Sequence, residues 1–175
     1  MNPFTNIFPK PHTLLIVIHV KDVEQTLRNV RTVCEAGADG VFLIDHSDLH
    51  GRLDGCYLFA RKAFPDLWIG LNYLSLDNRT AIRKIEKDPS VSGLWVDDGG
   101  IRERAEDPVR QARDTHDWKK HLLPEYFPLF GGVAFKGQET VYDVARVAQL
   151  ATPYIDVITT SGSKTGTPPD VEKSV

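Results

Sequence analysis

Cysteine is nearly absent: the chain carries only Cys34 and Cys56. They make no C-x-x-C spacing, and each falls in a stretch of helical periodicity, so a disulfide framework is excluded. Thiols of this kind, with no secretory leader ahead of the first apolar run, point to a reduced, cytoplasmic compartment. A surplus of charge of one sign is also missing. The chain has 21 Lys and Arg against 24 Asp and Glu, a net charge of -3. That balance offers no basic footprint for a phosphate backbone, which excludes nucleic acid as a partner, and no polybasic tail for an anionic membrane. Nor is there a long hydrophobic run. Leu14 to Val20, broken by His19, is far too short to span a bilayer and reads instead as a buried strand.

What is present is a repeated pattern. Short, almost continuously apolar runs occupy Leu14 to Val20, Val41 to Asp45, Trp68 to Leu74, Leu94 to Asp97, Leu129 to Phe135 and Ile155 to Thr160. Continuous apolarity means burial on both faces, the signature of strands in a parallel sheet. Helical stretches lie between them. Asp22 stands at an N-cap position with Gln25 three residues on, as in a capping box; Val23, Leu27, Val30 and Cys34 recur at helical spacing, and Gly37 closes the helix. Later helices are predicted around Cys56 to Ala63, over Thr80 to Glu86 and over Thr140 to Leu150, each ending ahead of a proline. The connection from Gly99 to Pro128 is longer and very polar, and predicts a solvated helix plus an active-site lid.

Six βα units of near-constant length predict an α/β fold of the (β/α) TIM-barrel type. An open doubly wound sheet is disfavoured, because His19-Val20-Lys21-Asp22 follows the first strand where a G-x-G-x-x-G turn would be expected. A typical barrel needs at least about 200 residues, and this chain has 175. The expectation is therefore a single domain over residues 1–175, an incomplete barrel lacking its last two units. Such a chain is either part of a longer protein or a homo-oligomer whose partner covers the open edges of strands one and six.

Several segments resemble the BtpA family of TIM-barrel proteins, of the ribulose-phosphate-binding barrel type. They are Ile18-His19, Ala36-Gly37-Ala38-Asp39-Gly40, Gly70-Leu71-Asn72-Tyr73-Leu74, and the run from Ser161 to Asp170. The likeness departs from the family's pattern at Val20-Lys21-Asp22, where a Pro- and Gly-rich stretch is usual. It implies a barrel, and a role in biogenesis of a membrane complex without implying a reaction.

In barrel enzymes the reacting groups sit at the C-terminal ends of the strands. Here those ends carry His19, Asp45 and His46, Asn72, Asp97 and Asp98, Lys136, and Ser161 and Ser163. Strand alternation puts Leu15, Val17 and His19 inward, Gly70 with Asn72, and Gly132 and Ala134 with Lys136, while Val133 and Phe135 face the helices. Lys136 is open to three roles: an amine nucleophile forming a Schiff base, a cation holding phosphate or carboxylate, or a structural partner of Asp97 or Asp45. His19 suits acid/base work near neutral pH, or a plain hydrogen-bonding role. Asp45 and Asp97, with His46 and Asp98, can accept from sugar hydroxyls; a divalent metal is the lesser expectation, because no H-x-H or H-E-x-x-H spacing supports it. The loop holding Ser161, Gly162, Ser163, Thr165 and Gly166 offers small residues and hydroxyls to an anion, ahead of a helix start at Pro168-Pro169-Asp170. Trp68 and Trp95 read as core.

The functional expectation is a protein that binds a small phosphorylated or otherwise anionic metabolite at the strand ends, as a lyase, isomerase or transferase with His19, Asp45, Asp97 and Lys136 catalytic. Its alternative is a non-catalytic, BtpA-like assembly factor.

Overall fold

A computed structural model describes residues 7–9, 12–47, 50–162 and 167–168. The chain alternates strand and helix throughout: β1 (Leu15–His19), α1 (Val23–Glu35), β2 (Gly40–Ile44), α2 (His50–Ala63), β3 (Trp68–Asn72), α3 (Asn78–Glu86), β4 (Gly93–Val96), α4 (Arg110–Leu122), β5 (Leu129–Gly132), α5 (Val144–Ala151) and β6 (Val157–Thr159). All pairings are parallel and the strand order is β1-β2-β3-β4-β5-β6, with no reversal. That order is the one a (β/α) barrel requires and a doubly wound sheet forbids. The sheet curls into part of a barrel, and among the described residues β1 and β6 each pair on one side only. No helix among the described residues is long and apolar enough to cross a membrane.

The expected start of α1 is realised atom by atom. Asp22 accepts from the Gln25 backbone N–H at 2.7 Å, and the Gln25 side chain accepts from Lys21 N–H at 3.1 Å. Gly37, at φ 85°, turns the chain out of the helix. Asp77 and Asp143 cap α3 and α5 in the same way. The two faces of the sheet then divide the apolar residues. Val41, Leu43, Ile69, Leu71, Leu94, Val96 and Leu129 pack outward on Val30, Leu53, Ala60, Ile82 and Ile85 of the helices. Leu15, Phe42, Trp68, Trp95, Phe130 and Val157 fill the inside, with Ile7 and Phe8 beneath them.

That interior is aromatic because glycines make room for rings. A Cβ on Gly70 would strike the Phe42 and Trp68 rings, and one on Gly93 would strike the Trp68 ring. Phe42 meets Trp68, Trp95 and Phe130 edge-on, with ring centroids 5.0, 5.4 and 4.9 Å apart.

Two expectations need correction. Strand five ends at Gly132 rather than Phe135, and Ala134 adopts a left-handed φ of 49°. Strict alternation therefore stops there: Val133 does face the helices, but Phe135 turns inward and meets the Trp95 ring at 5.9 Å and 87°. The polar connection contains the predicted helix, α4, yet its preceding loop is no lid. Glu103 accepts from the backbone N–H groups of Tyr142 and Asp143, each at 2.8 Å, and the Arg104 guanidinium lies 4.3 Å from the centroid of the Tyr142 ring. These contacts fasten that loop to the one before α5, and none of its residues from 99 to 109 lines the cleft at the strand ends. The same bonds hold Glu103 below the usual carboxylate range.

Candidate active site

The C-terminal ends of the strands surround a cleft of about 540 Å³ to which all six contribute. His19 closes β1, and its carbonyl accepts from Gln25 Nε2 at 3.2 Å, so the cap of α1 also fixes the end of the strand. His46, two residues past β2, stacks on it with ring centroids 4.7 Å apart and planes 18° apart. Burial first, then the neighbouring His46 and Lys136 charges, hold the His19 pKa below its ordinary value. At neutral pH His19 is thus an uncharged base.

Asp97 lies across the cleft, just past β4, and accepts from Asn72 Nδ2 at 2.8 Å. Asn72 is 1% exposed and does not line the cleft; it sits below and aims the carboxylate. Lys136 follows β5. Its backbone N–H donates to Ser161 Oγ at 2.8 Å, and Ser161 Oγ donates to the Gly162 carbonyl at 2.9 Å, which ties the ends of β5 and β6 together. Val17, Ile44, Leu74, Trp95 and Phe135 form the walls.

The structure thus brings together His19, Asp97, Lys136, Ser161 and Gly162. Ser163, Thr165 and Gly166 lie outside the described residues. Asp45 is placed elsewhere. Counting along β2, Val41 and Leu43 point to the helices and so does Asp45, where Arg52 from α2 meets it with Nε and Nη2 at 2.7 and 2.5 Å. Ser47 adds its backbone N–H at 2.8 Å and its hydroxyl at 2.7 Å. The Arg52 bonds, foremost, hold the Asp45 carboxyl far below the usual carboxylate range. Its neighbour His46 takes the inward place, which the alternation of Phe42 and Ile44 already marks. Among the described residues no group of three or more His, Cys, Asp or Glu side chains is positioned to hold a metal ion.

Asp45→Asn is expected to cost about 2 kcal/mol at pH 7 and to leave ligand affinity unchanged. A carboxylate whose pKa is depressed on folding stabilises above its unfolded pKa of about 4 and loses that contribution as pH falls through its folded pKa. The gap between variant and parent in urea titrations should therefore narrow below about pH 4. A loss of binding without loss of stability would return Asp45 to the site.

A cleft of about 590 Å³ opens at the other ends of the strands, beside Phe8 and Trp68. Its one guanidinium, Arg61, is spent on the Phe64, Pro65 and Leu67 carbonyls and on Ser92 Oγ. The C-terminal mouth instead gathers two imidazoles, a carboxylate and an ammonium, His19, His46, Asp97 and Lys136, and that decides between the two.

Fold and site together define a parallel (β/α) barrel unit with a polar mouth, holding His19, His46, Asp97 and Lys136, at the C-terminal ends of its strands. No family model matches the chain, and no curated protein matches it by sequence. Its backbone is similar to that of a solved structure described as "QR15, an Aldolase", with a TM-score of 0.60 at 12% identity, over 93% of this chain and 76% of that one. At that identity the likeness is one of fold: a TIM-barrel architecture of the kind that structure shows.

Proposed function

We propose that the chain binds a small anionic carbonyl compound at this mouth and acts on it as a lyase. The observation that carries this reading is the convergence of His19, His46, Asp97 and Lys136, from four different strand ends, on one cleft. Lys136 opposes the ligand's negative charge and the charge that develops on its carbonyl oxygen. His19, uncharged, takes the proton of a hydroxyl β to that carbonyl. The adjacent C–C bond breaks, its electron pair forms an enolate, and the imidazolium returns the proton to carbon. Asp97, held by Asn72, is placed to orient the hydroxyl. The similarity to an aldolase supports the fold this chemistry uses. The test is release of aldehyde from 4-hydroxy-2-oxo acids, followed by a coupled dehydrogenase; binding without turnover would favour the BtpA-like reading of a non-catalytic assembly factor.

The electrostatics predict opposite pH trends for binding and turnover. His19 titrates below its ordinary value beside His46 and Lys136, and a bound anion offsets those two charges and raises it. Binding therefore takes up a proton, and affinity should rise from pH 7.5 to 5.5. Turnover needs the neutral imidazole and should fall over the same range. Calorimetry in two buffers of different ionisation heat measures the uptake; none detected would remove His19 from the anion's surroundings.

A further inference from the structure

We infer that the ligand is an anion with an apolar body, an aryl or branched alkyl 2-oxo acid rather than a sugar phosphate, and that Trp95 and Phe135 select it. The inference rests on the proposed reading of the mouth as a site for an anionic carbonyl compound.

A polyhydroxylated ligand needs a partner for each hydroxyl it buries, and every unpaired one costs roughly tenfold in affinity. Among the described residues the strand-end groups that would read hydroxyls, Asp97 apart, are engaged within the protein. Asn72 is committed to Asp97. Asp98 accepts from Arg102, from the Gly100 N–H at 2.9 Å and from Gln138 Nε2 at 3.1 Å. Asp45 is enclosed by Arg52 and Ser47, and Ser161 Oγ is used by Lys136 N–H and the Gly162 carbonyl.

Against these stands a continuous hydrocarbon wall. Trp95 and Phe135 meet edge-on to make an aromatic corner, and Phe42 braces Trp95 from behind. Trp95 Nε1 is buried without a hydrogen-bond partner, so the part of Trp95 that reaches the cleft is carbon. Ile44, Leu74 and Val17 continue the apolar surface. The Lys136 ammonium beside His19 and a wall of this kind fit one charged head and one apolar tail.

Calorimetry on the full chain with five probes tests this: inorganic phosphate, pyruvate, 4-methyl-2-oxopentanoate, phenylpyruvate and ribulose 5-phosphate. Phenylpyruvate and 4-methyl-2-oxopentanoate are expected to bind about thirtyfold tighter than pyruvate, from burial of their apolar groups. Ribulose 5-phosphate is expected to bind no tighter than phosphate. Trp95→Leu and Phe135→Leu should each remove about tenfold of the advantage of phenylpyruvate over pyruvate. Quenching of tryptophan fluorescence by phenylpyruvate, lost in Trp95→Leu, gives a second readout. Tightest binding of ribulose 5-phosphate, or equal weakening of pyruvate and phenylpyruvate in both variants, overturns this inference and leaves the anion site standing. Binding of none of the five overturns both.

Discussion

Lys136→Met is expected to weaken binding of an anionic ligand by about a hundredfold or more, with the urea midpoint close to the parent's. Methionine keeps the length and the apolar stem of lysine and deletes only the ammonium. The residue's backbone keeps an anchor that the substitution leaves in place, its N–H donating to Ser161 Oγ at 2.8 Å. A charge-assisted hydrogen bond in a partly dry cleft contributes about 1.5–3 kcal/mol, and an anion left facing apolar walls loses more. His19 supplies only part of the compensation, since its lowered pKa leaves it uncharged at pH 7 unless the ligand itself charges it. Calorimetry and denaturation on the same preparation read the two effects separately. A variant that loses stability as well as binding would make Lys136 a structural partner, one of the three roles its sequence position allows.

Gly132→Ala should be among the most destabilising single substitutions in the chain, at about 3 kcal/mol or more. Gly132 ends β5 on the inner face, and a Cβ there would run into the backbone carbonyl of Asp97 and meet Phe135 Cβ. Backbone cannot swing aside as a side chain can. The Gly132 carbonyl accepts from Gly99 N–H at 2.8 Å and from Gln138 Nε2 at 2.9 Å, so both neighbouring loops resist the shift. Whatever relaxation does occur displaces Asp97, and ligand affinity should fall with stability. Chemical denaturation and calorimetry together check this; a variant of parental stability would show that β4 and β5 separate more easily than their hydrogen bonds imply.

The division of the chain into strands and helices was legible because both signals are local. Runs such as Val41 to Ile44 and Trp68 to Leu71 are apolar on both faces, and caps such as Asp22 with Gln25 act within one turn. Alternation also located His19 and Asn72 on the inner face. It fails where the backbone leaves the extended region: nothing in Phe130-Gly131-Gly132-Val133-Ala134 announces that Ala134 takes a positive φ, so Phe135 was expected outside. His46 was within reach, since Phe42 and Ile44 share its parity, but chemistry drew attention to Asp45. The Glu103 latch was out of reach. It joins a carboxylate to backbone N–H groups 39 and 40 residues away, and no pattern along a sequence records such a bond.

The cleft takes side chains from β1 and from the segment after β6, the two strands farthest apart in the sheet. A molecule seated there touches the chain near both ends of its described length and acts as a removable cross-link between His19 and Thr160. Its binding energy is then available only to a fully curled sheet, so ligation and global unfolding are one linked equilibrium rather than two. A ligand at a hundred times its dissociation constant should raise the unfolding free energy by about 2.7 kcal/mol. Any compound that raises the melting temperature of the whole chain in a single transition is therefore a candidate substrate, before any reaction has been assayed.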